Sequence, residues 1–185
     1  MSQSNVQITF GAADDVEPSH ITNFEDVTSF GLDPADEARL LELQDECTFG
    51  WVTKDGSPMS SIVNFVYDRG LFFVTTAVQR PRVKALMRDP RCVIVISSKG
   101  TAISVSQTVT YKATVEILSD RETKDWFYPA LSARKHRDIE KAREYAAMLD
   151  SPDRVILRIT PVKRVSYDGA KKAEATRLSR EAGAI

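Results

Sequence analysis

Hydrophobic and polar positions follow two different periods along the chain. From Cys47 onward, short runs with alternating apolar residues are separated by Gly, Pro and Asp turns, which is typical of antiparallel hairpins. Tight turns at 55–56 and 68–70 are expected to join the first three strands into a meander. The pattern predicts six strands, at 48–54, 58–67, 71–76, 91–97, 108–118 and 154–167.

Six strands with few helices favour a mainly β fold, a six-stranded antiparallel split β-barrel with short peripheral helices. A barrel is expected because closure removes the unprotected edges of an open sheet. Phe49 and Trp51 alternate on the first strand, and we interpret Trp51 as part of the barrel core.

Helical spacing appears between the strands and at both ends of this region. Asp33 before Pro34 has the character of an N-cap followed by a proline at the first helical position, and Asp89-Pro90 ends a short helix. We expect an extended arm at 1–32, the barrel domain at 33–169 and a charged helix at 170–185. The predicted helices of the barrel domain are 34–45, 81–88, 121–131 and 138–149.

Charge and composition exclude several classes of function. The chain of 185 residues has 25 basic and 26 acidic residues, so no overall field recruits nucleic acid or an anionic membrane, and any anion site must be local. Cys47, Cys92, His20 and His136 do not have metal-ligand spacing, and we expect no metal site. The absence of a signal-like start and of a long apolar run predicts a soluble cytoplasmic protein.

The segment 75–84 has charges of the wrong sign for a stable helix start. A helix N-terminus carries partial positive charge and prefers acids, yet Arg80 and Arg82 stand there. A bound anion would reverse this penalty, since free N–H groups, guanidinium forks and the hydroxyls of Thr75 and Thr76 suit a phosphate monoester. This segment alone, however, favours exposed surface charges on a connector.

The order of motifs resembles the pyridoxamine 5'-phosphate oxidase-like superfamily, which comprises flavin and deazaflavin oxidoreductases with a split-barrel fold. The resemblance rests on the hairpin motif Asp55-Gly56-Ser57-Pro58, a strand ending in threonines, and a basic helix ending in the motif at 86–91, Leu-Met-Arg-Asp-Pro-Arg. The run at 108–113 resembles the family's next strand. The similarity spans roughly residues 35–167, and the order of the motifs carries it more than any single motif.

The resemblance implies a set of cofactor-binding residues. It places the cofactor phosphate on Arg80, Arg82 and Lys84, although lysine is common in the family where this chain has Arg82. It implies that strand-end hydroxyls contact the ribityl chain or phosphate, and that the return strand and the end of the fourth strand line the ring and its rim. These further residues are Thr75, Thr76, Ser60, Ser61, Ile62, Val63 and Ser97.

The implied function is an FMN- or F420-dependent oxidoreductase that transfers hydride to or from a small organic substrate. FMN is the first choice, because the longer acidic tail of F420 needs a further basic groove. No catalytic side chain is assigned, since the cofactor carries hydride chemistry itself. The resemblance also implies a homodimer with the cofactor at the subunit interface, as is usual in the family. A non-catalytic flavin- or haem-binding protein and a cofactor-free interaction module remain alternatives.

Overall fold

One curled antiparallel sheet forms the framework of residues 27–182, the part of the chain that the computed structural model describes. The strands are β1 Glu46–Val52, β2 Pro58–Asn64, β3 Val66–Asp68, β4 Leu71–Ala77, β5 Arg91–Ser97, β6 Gln107–Leu118 and β7 Arg154–Asp168. Their order in the sheet is β2-β1-β5-β6-β7-β4-β3. β2 and β4 approach each other, so the sheet curls toward closure. This mainly β, split-barrel architecture with peripheral helices confirms the expected fold class.

The prediction of six strands is wrong, because the sheet has seven strands over the described range. The expected strand 58–67 is divided at Phe65 into β2, which pairs with β1, and β3, which pairs with β4. Phe65 and Val66 are both buried, which interrupts the alternation of a straight strand. Each hairpin forms as expected, but the two hairpins lie at opposite ends of the strand order rather than in one meander.

Five helices and a short 3-10 turn, Val27–Phe30, surround the sheet in the described residues. Asp120, Asp138 and Asp168 cap helices by accepting backbone N–H bonds, at 2.7 Å, 2.9 Å and 2.8 Å. Asp33 occupies the N-cap position without such a bond and instead forms an ion pair with Lys171. The helices are α1 Pro34–Leu43, α2 Pro81–Arg88, α3 Arg121–Lys135, α4 Ile139–Leu149 and α5 Gly169–Glu181.

The core has two parts, one on each face of the curled sheet. The main part fills the concave interior with alternate residues of β1, β4, β5, β6 and β7, and Val83 and Leu86 anchor α2 to it. The smaller part lies between the sheet and the α3–α4 pair and includes Phe73, Phe127 and Ile156. The burial of α2 by its apolar face fixes the position of its N-terminus relative to the barrel.

Most of the expected N-terminal arm, residues 1–26, lies outside the described residues. Phe30 and Leu32 are buried, and the N–H of Leu32 donates to the Ser166 hydroxyl at 3.0 Å. The division into arm, barrel and C-terminal helix therefore stays a prediction. Across the described residues, no helix combines the length and the apolar character needed to span a membrane.

Candidate cofactor site

The N-terminus of α2 is the centre of the candidate site. Pro81 stands in the first turn, Arg80 is the N-cap with extended backbone and no side-chain cap, and the first turn contains no acid. Burial of Val83, Ala85 and Leu86 holds the helix in place by its other face. The start of α2 is therefore fixed against the barrel. No acidic or capping side chain of the helix itself compensates the positive end of its dipole.

Arg82 reaches from α2 onto the β1–β2 hairpin. Its Nη1 donates to the Ser61 hydroxyl at 2.8 Å, and its Cζ lies 5.4 Å from the centroid of the Trp51 ring. Burial lowers the pKa of the Arg82 guanidinium from its ordinary value, and the charge of Arg80 lowers it further. Arg82 is thus a half-buried cation in contact with a hydroxyl and an aromatic face, and it forms no ion pair within residues 27–182.

Arg80 and Lys84 add two further positive charges beside it. Both side chains are exposed, and neither forms a hydrogen bond or ion pair with any of the residues that the structure describes. The nearby Arg91, by contrast, pairs with Asp89 at 2.7 Å, and this bond lowers the pKa of Asp89 to about 2. Three cationic side chains therefore stand around the start of α2, and their assignment to a phosphate stays a prediction.

The two predicted threonines point to opposite faces of β4. Thr76 lies on the same face as Phe72 and Val74, inside the barrel; it is 4% exposed, and its Oγ1 has no partner in the described structure. Thr75 lies on the other face and donates to the carbonyl of Val155 at 3.1 Å. A buried hydroxyl without a partner is costly, and the assignment of Thr75 and Thr76 to cofactor contacts stays a prediction.

The four predicted residues of β2 also divide between two faces. Ser61 is in register with the buried Phe49, whereas Ser60 is in register with Gly50 on the outer face. Alternation therefore places Val63 with Ser61 on the concave side and Ile62, 62% exposed, with Ser60 outside. Of these four residues, Ser61 forms the hydrogen bond to Arg82 that the structure shows.

Ser97 lies away from the α2 cluster. It ends β5, and its carbonyl accepts a bond of 2.6 Å from the Gln44 side chain. Ile94 of β5 is in register with Phe49 and Ser61. Ser97 stands three residues further along β5, so it lies about 10 Å from the row of Ser61 in the strand direction. Its assignment to the cofactor rim stays a prediction.

An open cleft of about 620 Å³ runs along the outer side of the β1–β2 hairpin. Its floor includes Gly50, where a Cβ atom would come within 2.7 Å of Val93 Cγ1. The absence of a side chain at Gly50 therefore leaves room for Val93 of the neighbouring strand β5 to pack over this position. The mostly apolar lining consists of Gly50, Trp51, Val52, Pro58, Met59, Ser60, Arg91, Cys92 and Val93.

Two residues of the site were not identified from the sequence. Trp51 packs against the main core as expected, yet its ring also faces Arg82. Gly50 shapes the outer cleft. Neither role has a local signal in the sequence, because one depends on how α2 docks and the other on the pairing of β1 with β5.

Comparisons with known proteins agree with this architecture. The family model described as pyridoxamine 5'-phosphate oxidase matches residues 35–167. No curated protein matches the chain in sequence.

Three solved structures show the fold in other proteins. A conserved hypothetical protein from Mycobacterium tuberculosis aligns with a TM-score of 0.68 at 19% identity, covering 78% of this chain and 89% of that one. A haem storage protein from Vibrio cholerae aligns with a TM-score of 0.56 at 16% identity, covering 74% and 94%. An F420 reductase aligns with a TM-score of 0.51 at 20% identity, covering 69% and 94%. At these identities the likeness establishes a shared fold.

Proposed function

The chain belongs to the pyridoxamine 5'-phosphate oxidase family, and on that premise we propose that it is an oxidoreductase with a phosphate-bearing flavin cofactor. FMN is the preferred cofactor and F420 the second. The reaction is hydride transfer between the cofactor and a small organic substrate. A haem storage protein and an F420 reductase share the fold, so the choice among cofactors rests on this chain's own residues.

The observation that carries the proposal is the set of uncompensated cations at the start of α2. Arg80, Arg82 and Lys84 surround a helix N-terminus without a carboxylate partner in the described residues, and Arg82 is half-buried. Removing a cation from water without a counter-charge is unfavourable, and a phosphate dianion would relieve it.

The proposed roles follow from these positions. Arg80, Arg82 and Lys84 hold the cofactor phosphate, and the N–H groups at the start of α2 add to their field. The β1–β2 hairpin supports the ring, and Ser60, Ile62 and Val63 stay the residues of β2 that are predicted to line it. The flavin supplies hydride transfer when it is bound, and the protein supplies position, electrostatics and exclusion of water.

FMN is preferred to F420 because one phosphate matches one cation cluster. The acidic tail of F420 needs a further basic groove. Two arginines lie at and beyond the end of α2, but both already have partners. Arg88 donates to the Val52 carbonyl, and Arg91 pairs with Asp89. The similarity to an F420 reductase keeps F420 as the second cofactor.

Haem binding is the alternative suggested by the haem storage protein of the same fold. Haem iron in proteins is commonly held by histidine. His20 lies outside the described residues, and His136 contacts Tyr145 edge to face with ring centroids 5.0 Å apart, at the junction of α3 and α4. The cation cluster at α2 therefore favours a phosphate-bearing cofactor over haem.

The proposal includes a homodimer with the cofactor at the subunit interface. The outer face of the sheet presents exposed apolar side chains, including Val52, Ile62 and Val165. Ile62 and Val165 lie in one register row of the sheet, with Thr48, Val95 and Thr110 between them, and we propose that this row forms part of the contact with the second copy. A second copy placed on this face would also cover the outer cleft.

Sedimentation velocity with detection in the visible band of each cofactor tests both parts of the proposal. The protein is incubated separately with FMN, F420 and haem. We expect FMN absorbance to sediment with a particle of dimer mass. FMN sedimenting with a monomer would contradict the dimer, and haem as the only pigment carried, or no pigment, would contradict the cofactor assignment.

A further inference from the structure

The contacts of Arg82 assign a role to two residues of the β1–β2 hairpin. Resting on the proposed phosphate site, we infer that Ser61 and Trp51 are positioning residues, which fix the Arg82 guanidinium so that its free N–H groups face the cofactor phosphate. Ser61 then acts on the ligand through Arg82 rather than by touching the ring.

The hairpin presents these two side chains from one face. Ser61 is in register with Phe49, and Trp51 stands two residues from Phe49 on the same strand, so alternation directs all three to the concave side where α2 packs. The Trp51 ring is itself fixed, because it packs against the core with its centroid 5.9 Å from that of Phe49. The hydroxyl and the indole face are therefore held at a set spacing.

These contacts use only a small part of the bonding capacity of Arg82. A guanidinium has five N–H donors, and one nitrogen, Nη1, donates to Ser61 Oγ at 2.8 Å. The indole contacts the guanidinium by its face, at 5.4 Å from Cζ to the ring centroid, and this contact uses none of the in-plane donors. Within the described part of the chain, the remaining N–H donors of Arg82 have no hydrogen-bond partner and can bind an anion.

Holding the side chain in advance should increase phosphate affinity. Arginine loses considerable rotamer freedom when it is fixed, and a side chain that is already oriented loses less on binding. A flexible lysine ammonium would not offer the same planar contact with Trp51. The arginine at position 82 therefore matches the two hairpin contacts.

The positioning role and direct contact with the ring predict different results for FMN and riboflavin, which share a ring and differ by the phosphate. Loss of a ring contact lowers the affinity for both ligands equally. Loss of a positioning contact lowers the affinity for FMN and leaves riboflavin unchanged. The ratio of the two dissociation constants is therefore the informative quantity.

The test measures this ratio by calorimetric titration for the wild type, Ser61→Ala, Arg82→Ala and the double variant. We expect Ser61→Ala to reduce the preference for FMN about three- to tenfold, the range for one hydrogen bond, and to have no further effect once Arg82 is alanine. Ser61→Thr, which keeps a hydroxyl, should restore the preference. Ser119→Ala, an exposed serine in the loop before α3, is the matched control.

A second pair of variants tests the indole. Trp51→Phe keeps an aromatic face and should retain most of the preference for FMN, whereas Trp51→Leu should reduce it. Equal losses for FMN and riboflavin in Ser61→Ala, or an undiminished effect of Ser61→Ala in the Arg82→Ala background, would overturn the positioning role. A wild type without preference for FMN would instead overturn the phosphate site itself.

Discussion

At the scale of single residues, the sequence identified the charges of the candidate site but not their surroundings. Arg80 and Arg82 were recognisable because they have the wrong sign for the start of a helix. The contact of Arg82 with Trp51 and Ser61 depends on the docking of α2, which no local pattern encodes. The opposite facing of Thr75 and Thr76 does follow from strand alternation once both are assigned to one strand.

Arg82 should contribute more to phosphate binding than any other single side chain of the site. Arg82→Ala is expected to weaken FMN binding by about 1.5–3 kcal/mol, roughly ten- to 150-fold, because a charge-assisted bond to the phosphate is lost. Riboflavin binding should not change. Fluorescence titration with both ligands measures the two effects.

Arg143→Ala is the matched control for this substitution. Arg143 is an exposed arginine on α4 that pairs with Glu140 at 2.9 Å, and its removal changes the net charge by the same amount. FMN affinity should be unaffected by this control. An equal loss in both variants would show that FMN responds to overall charge rather than to a phosphate site at α2.

At the scale of elements, local signals fixed some boundaries and long-range pairing fixed others. The bounds of α2 and β5 agree with the prediction, because Pro81 and Asp89-Pro90 mark the ends of the helix. The break at Phe65 has no such signal. It arises because the two halves of one predicted strand pair with different partners, β1 and β4.

The end of α1 is also held by a distant residue. Arg134 on α3 directs Nη2 to the carbonyls of Glu42 and Gln44, at 3.1 Å and 2.8 Å, and forms an ion pair with Asp45 at 3.3 Å. Its Cζ lies 5.7 Å from the Phe65 ring centroid. One guanidinium therefore satisfies carbonyls that a helix C-terminus leaves without partners, and it does so beside the break between β2 and β3.

Loss of this cap should lower stability. We expect Arg134→Ala to reduce the free energy of unfolding by about 1.5–3 kcal/mol, the range for hydrogen bonds made by a charged group. Urea denaturation followed by tryptophan fluorescence measures the change. Arg137→Ala, an exposed arginine without a hydrogen bond or ion pair to the described residues, should stay within about 0.5 kcal/mol of the wild type. A similar, small change in both variants would contradict the capping role.

At the scale of the whole molecule, the fold class was accessible from the sequence and the strand order was not. Short alternating runs and the order of motifs pointed to a split barrel, and the family match over residues 35–167 agrees with it. The order β2-β1-β5-β6-β7-β4-β3 places strands that are adjacent in sequence at opposite ends of the sheet. Such pairing is determined by closure and burial rather than by any local segment.

The curled sheet separates two proposed roles on its two sides. Its concave side receives the apolar face of α2, and the three cations stand at the start of this helix. Its outer side carries the cleft floored by Gly50 and the apolar surface that we propose for the second subunit. The β1–β2 hairpin belongs to both sides, so a cofactor held by its phosphate at α2 would reach the hairpin with its ring.

The central claim is that this protein binds a flavin through its phosphate. Calorimetric titration of the purified wild-type protein, freed of cofactor, with FMN and with riboflavin tests it most directly. The account predicts that FMN binds at least tenfold more tightly, about 1.4 kcal/mol or more in binding free energy. Equal affinities for the two ligands, or no binding of either, would contradict it.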